Sequence, residues 1–136
     1  MSDRLAKARR IVAVREQMHK VAEWEQARLV REHADLERTR GELLASYDHD
    51  QFGRLFAGSV ARRLAQVSRA AQVVAEARSR QEEKVREEAL ALKRAERLEA
   101  NAEEAARSEA DKKAFQVLVE ASATSSSRDR DNASLA

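Results

Sequence analysis

Apolar residues recur along the first third of the chain at three- and four-residue steps or their sums: Leu5, Ala8, Ile11, Val14, Met18, Ala22, Leu29, Leu36, Leu43 and Tyr47. Such spacing keeps side chains on one face of an α-helix. It predicts a first helix over residues 3–47, roughly 65 Å long at the helical rise. Ser2 or Asp3 can cap its free N–H groups. The apolar face is interrupted at Glu25 and again at Glu32 or His33. A second face runs through Val60, Leu64, Val67, Ala71, Val74, Arg78, Gln81, Val85, Ala89, Leu92, Ala95, Ala102, Ala106 and Val117. It predicts a second helix over 60–121, roughly 90 Å long.

Between the two faces lies Asp48-His49-Asp50-Gln51-Phe52-Gly53-Arg54-Leu55-Phe56-Ala57-Gly58-Ser59. Two glycines stand there beside three capping residues, Asp48, Asp50 and Ser59, which predicts a bend over 48–59. Two amphipathic helices joined by one short break fold back on each other. The expected fold is therefore all-α: a long antiparallel two-helix coiled coil, a helical hairpin over residues 1–121. Leu5 should lie near Leu98, with both chain ends at one pole. The second helix is the longer, so residues 102–121 should overhang the first or pair with it weakly. Ser122 to Ala136 is Ser-rich and charged, with almost no large apolar residues, and is expected to be a disordered C-terminal tail.

Composition sharpens this picture. The 136 residues include no proline and only three glycines, so little in the chain breaks a helix. Charged residues are 37% and aromatics 4%, too few bulky side chains to fill a globular core. A thin seam between two helices needs far less. Opposite charges at helical spacing, Glu16 to Lys20, Glu82 to Arg86, Glu103 to Arg107 and Glu109 to Lys113, mark solvated faces. The net charge of +2 does not favour nucleic acid as a partner. The absence of cysteine fits a reducing compartment, and no run is apolar enough for a signal peptide or membrane span. A cytoplasmic protein is expected.

Candidate chemistry is sparse. His19 and His33 stand two heptads apart, too far along one helix to share a metal. Asp48-His49-Asp50 lacks the ligand number and spacing of a zinc or calcium site. No phosphate-binding glycine loop or nucleophile motif is present, and the carboxylates sit on open helices where nothing tunes them for acid–base work. Lys7, Arg9, Arg10 and Arg62-Arg63 lack an accompanying aromatic platform for stacking bases. The reading is a protein that binds other proteins and is not an enzyme, with no cofactor, metal or small-molecule substrate. The candidate contact residues are Leu43, Tyr47, Phe52, Leu55 and Phe56 at the bend, with Phe115 and Leu118 in the overhang. Exposed aromatic and aliphatic clusters of this kind commonly anchor interfaces.

Several of these positions fall into a wider pattern. Leu5 is followed by Val14-Arg15-Glu16-Gln17, and Leu36, Leu43 and Tyr47 close the first helix. Phe56 and Leu64 follow the bend, then Lys93-Arg94-Ala95-Glu96-Arg97-Leu98 and the charged stretch Glu109-Ala110-Asp111-Lys112-Lys113. This order resembles the FliJ family of the flagellar type III export apparatus over residues 5–121. It departs at Ala114-Phe115, where family members often carry an acidic pair. The resemblance implies a coiled-coil stalk that binds the hexameric export ATPase and promotes its ring assembly. It also implies contacts with the membrane export gate protein and with export chaperones, hence a place at the inner face of the cell membrane. A structural coiled coil that dimerises as a scaffold, and the equivalent stalk of an injectisome, are the alternatives.

Overall fold

The computed structural model describes residues 2–49 and 56–134. Two helices account for all of them but Phe56: α1 (Ser2–His49) and α2 (Ala57–Ser134). The protein is an all-α helical hairpin. The helices are longer than the apolar pattern alone indicates. α2 begins at Ala57, so Gly58 and Ser59 belong to its first turn, and Ser59 is not the capping residue. The Val60 N–H instead donates to the Phe56 carbonyl at 2.9 Å, which makes Phe56 the residue from which the helix springs. The rest of the predicted bend, residues 50–55, lies outside the described residues.

The C-terminal expectation is corrected. Residues 122–134 continue α2 as helix and are not a disordered tail. Neither proline nor glycine occurs after Gly58, so no residue terminates the helix once it is under way.

The chain divides into two compact units, one made of Met1–Ala13 with Arg94–Ala136, the other of Val14–Lys93. In the second unit the helices are antiparallel and in register heptad for heptad. Arg15 on α1 meets Glu88 on α2 at 3.7 Å. One heptad further along α1 and one heptad back along α2, the Gln81 side-chain amide donates to the Ala22 carbonyl at 3.0 Å. Ala22, Leu29, Ala71 and Val74 are the buried apolar residues of this unit, with Leu36, Leu43, Leu64 and Val67 half-buried beyond them. Small side chains at the centre let two backbones approach closely enough for a glutamine to reach a main-chain carbonyl.

The seam does not follow every apolar residue assigned to it. Val14 and Met18 are exposed, and the inward positions between them are Arg15 and His19. Steps of four and three link Arg15, His19 and Ala22, and two steps of four link Val14, Met18 and Ala22; both stripes converge on Ala22. The partner helix chooses between them: Glu88 opposite Arg15 and the Gln81 hydrogen bond favour the polar stripe. Val117 on α2, also assigned to the seam, is likewise exposed.

In the first unit, Ala8 and Val12 of α1 are buried, and so are Ala95 and Ala102 of α2. Ile11, assigned to the seam, is 40% exposed, one position away from Val12. Leu98 lines the same groove as Arg4 and Lys7, close to the expected neighbourhood of Leu5. From Asp111 to Ser134 every side chain of α2 is exposed. The overhang therefore starts later than expected, at Asp111 and not at Ala102, which is buried, and runs on to Ser134.

Candidate protein-binding surfaces

Helix geometry brings the last turns of α1 beside the first turns of α2 in the Val14–Lys93 unit. Leu43, Leu44 and Tyr47 stand one helical turn apart or closer, and face Ala57, Val60, Ala61 and Leu64 across a groove of about 380 Å³. Its lining is almost wholly apolar because two alanines and a valine leave the floor low while the leucines and the tyrosine form its walls. Leu43 is half-buried and closes the seam as well as lining the groove. Tyr47 and Phe56 are 54% and 59% exposed. Leu64, Val60 and Ala61 escape a search for bulky exposed residues, yet they line the groove opposite Tyr47. Phe52 and Leu55 lie outside the described residues.

The second pair of candidate residues lies on the overhang of the other unit. Phe115 and Leu118 are 67% and 68% exposed, with Val117 and Val119 beside them. Leu118 and Val119 continue along one face into Ser122, Ala123 and Ser126 as an open shallow surface. Phe115 stands one turn before Leu118 on the same face of the helix. Large side chains thus give way to small ones along one stripe, so a partner can sit against the helix backbone in its last turns.

A third apolar patch is absent from the sequence-based candidates. Val14, Met18, Val21 and Trp24 are all exposed on α1, Trp24 to 64%. The sequence does carry a signal: tryptophan between Glu23 and Glu25 on a helix whose core is mostly alanine has little reason to face inward.

Electrostatics around these surfaces is ordinary for open helices. The Arg28 guanidinium binds Glu25, its Nε donating to Oε2 at 3.1 Å, and reaches Glu32 at 3.2 Å. The hydrogen bond from Arg28 is the main reason that the Glu25 carboxyl is held below the usual carboxylate range; desolvation opposes it, and charge attraction from Arg28 and then Lys84 adds to the lowering. The same pairing raises Arg28. His19 and His33 each face a glutamate one turn away, Glu23 at 3.1 Å and Glu37 at 4.0 Å. No group of three or more potential metal-ligating side chains occurs among the described residues. Among them, too, no helix is long and apolar enough to cross a membrane.

The candidate residues form two apolar surfaces, one in each unit, beside the Trp24 patch, and the chemistry available at each is contact with a complementary apolar face. Comparison of the chain with protein-family models, with curated proteins and with solved structures finds no match.

Proposed function

We propose that this protein is a flagellar type III export component, a coiled-coil stalk that binds the hexameric export ATPase and promotes its assembly and protein export. It acts by binding and not by catalysis, in the cytoplasm, at the inner face of the cell membrane. The observation that carries the reading is the exposed helical extension of α2 from Asp111 to Ser134, with Phe115 and Leu118 presented on it. A single helix standing clear of its partner presents its whole circumference to the surrounding subunits of a ring. The order of residues shared with the FliJ family supports the same assignment.

On this reading the two apolar surfaces have different partners. Phe115 and Leu118 contact the ATPase ring. The groove at Leu43 and Tyr47, with Phe56 beside it, receives the export gate protein or export chaperones. Polar positions in the seam, Arg15, His19 and Gln81, keep the hairpin from being a tightly zipped rod, which suits transient binding.

The test is ATP hydrolysis by the export ATPase of the same source, with and without the full chain. Stimulation that disappears when residues beyond Ala102 are removed is the expected result. No stimulation and no co-elution with the ATPase would sink the reading and leave a dimerising scaffold as the better account. An injectisome ATPase responding in place of the flagellar one would move the same mechanism to that system.

A further inference from the structure

The first unit sorts its charges by face. On α1, Arg4, Lys7 and Ile11 lie at positions i, i+3 and i+7, and so share one side. On α2, Arg94, Leu98, Asn101 and Ala105 lie at i, i+4, i+7 and i+11, and share one side as well. The two sides adjoin, because Arg4, Lys7, Ile11 and Leu98 line one groove of about 160 Å³. Its floor is Ala8, Ala95 and Ala102, all buried. The glutamates of this stretch of α2, Glu96, Glu99, Glu103 and Glu104, fall at other angles around the helix from Leu98. Glu103 is joined to Arg107. Among the described residues neither Arg4, Lys7 nor Arg94 forms an ion pair.

We infer that this groove docks one amphipathic helix of a partner protein, a helix whose apolar row is flanked by aspartate or glutamate. The alanine floor leaves room for about one leucine-sized side chain of an incoming helix between Ile11 and Leu98, which is how a third helix seats on a pair. The unpaired cations at the rim then meet carboxylates on the flanks of the incoming helix, which fixes its orientation and excludes basic helices. A membrane surface is the weaker fit. Binding to lipid needs apolar side chains that project beyond the charged ones, whereas here they wall a concavity. The inference does not rest on the export reading, since it needs neither the ATPase nor the overhang.

The experiment uses the full chain and two labelled synthetic helical peptides with the same leucine row, one flanked by glutamates and one by lysines. Fluorescence anisotropy should show the glutamate peptide binding at least about tenfold more tightly. Arg4→Glu with Lys7→Glu should reverse that preference while circular dichroism stays unchanged. Should the reversed pair disturb folding, Arg4→Gln with Lys7→Gln should abolish the preference. Leu98→Asp should abolish binding of the glutamate peptide. A preference that survives charge reversal, or equal binding of both peptides, overturns the inference. So does sedimentation with vesicles containing phosphatidylglycerol when neither peptide binds, which would make the groove a lipid contact.

Discussion

Gly41 interrupts α1 without any structural need for a glycine. It lies inside the helix Ser2–His49, is exposed, and has no left-handed backbone. A Cβ added there meets nothing within 4 Å. Steric clash, lost close approach and backbone strain are therefore all excluded for Gly41→Ala, and what remains is the conformational entropy of the unfolded chain. That difference is about 0.8–1 kcal/mol per residue in a helix interior. For a chain of this size it corresponds to a rise in melting temperature of roughly 3–5 °C. Urea denaturation followed by far-UV circular dichroism should show a higher midpoint with an unchanged slope. Gly58→Ala is the internal control: its Cβ also meets nothing within 4 Å, but the residue sits in the first turn of α2, where the helix is least fixed, so the gain should be smaller. An unchanged or lowered midpoint for Gly41→Ala would refute the reasoning and show that α1 is not continuous helix at this position.

Other perturbations have equally direct outcomes. Ala22 is 3% exposed with the Gln81 amide against its carbonyl, so Ala22→Leu should cost roughly 1–3 kcal/mol in urea melts, and a neutral result would mean that the seam opens freely. The Glu25 carboxyl is depressed by Arg28, so its contribution is present above the ordinary carboxylate pKa and is lost as pH falls through the lower folded value. Arg28→Gln should therefore raise the Glu25 midpoint in an NMR titration, and an unmoved midpoint would rule out the pairing in solution. Deleting residues 122–136 should remove about a tenth of the helical circular dichroism, given the helix lengths, whereas no loss would restore the disordered tail. Tyr47→Ala with Phe56→Ala should weaken partner binding in a pull-down far more than it lowers the melting temperature, because both side chains are more than half exposed; equal losses would make them turn-closing residues only.

The proposed contact surfaces were partly legible in the chain and partly not. Tyr47, Phe56, Phe115 and Leu118 stand out because bulky side chains are rare here, and all four are exposed. The lining opposite Tyr47, made by Ala57, Val60, Ala61 and Leu64, is invisible without pairing the helices: Val60 and Leu64 read as ordinary seam positions and Ala57 as part of the bend. Trp24 and its neighbours Val14, Met18 and Val21 were overlooked for the opposite reason. Their spacing matches a buried stripe, and spacing alone cannot tell a face that has a partner from one that lacks it.

Sequence by itself determined that the chain forms two long helices, because helix propensity, the lack of proline and the step of three and four are local properties read over a few turns. It also determined the approximate position of the break and the existence of an overhang. Tertiary structure alone decided which of two interleaved stripes on α1 faces α2. Val12, and not Ile11, is buried, and Arg15 and His19 take the inward places, because the choice depends on what stands across the seam: Glu88 for Arg15 and Gln81 for the Ala22 carbonyl. The extent of α2 was decided in the same way, by whether anything stops a helix already begun. Its serine-rich end contains weak helix formers but no breaker, so composition pointed to a disordered tail where the structure has helix to Ser134.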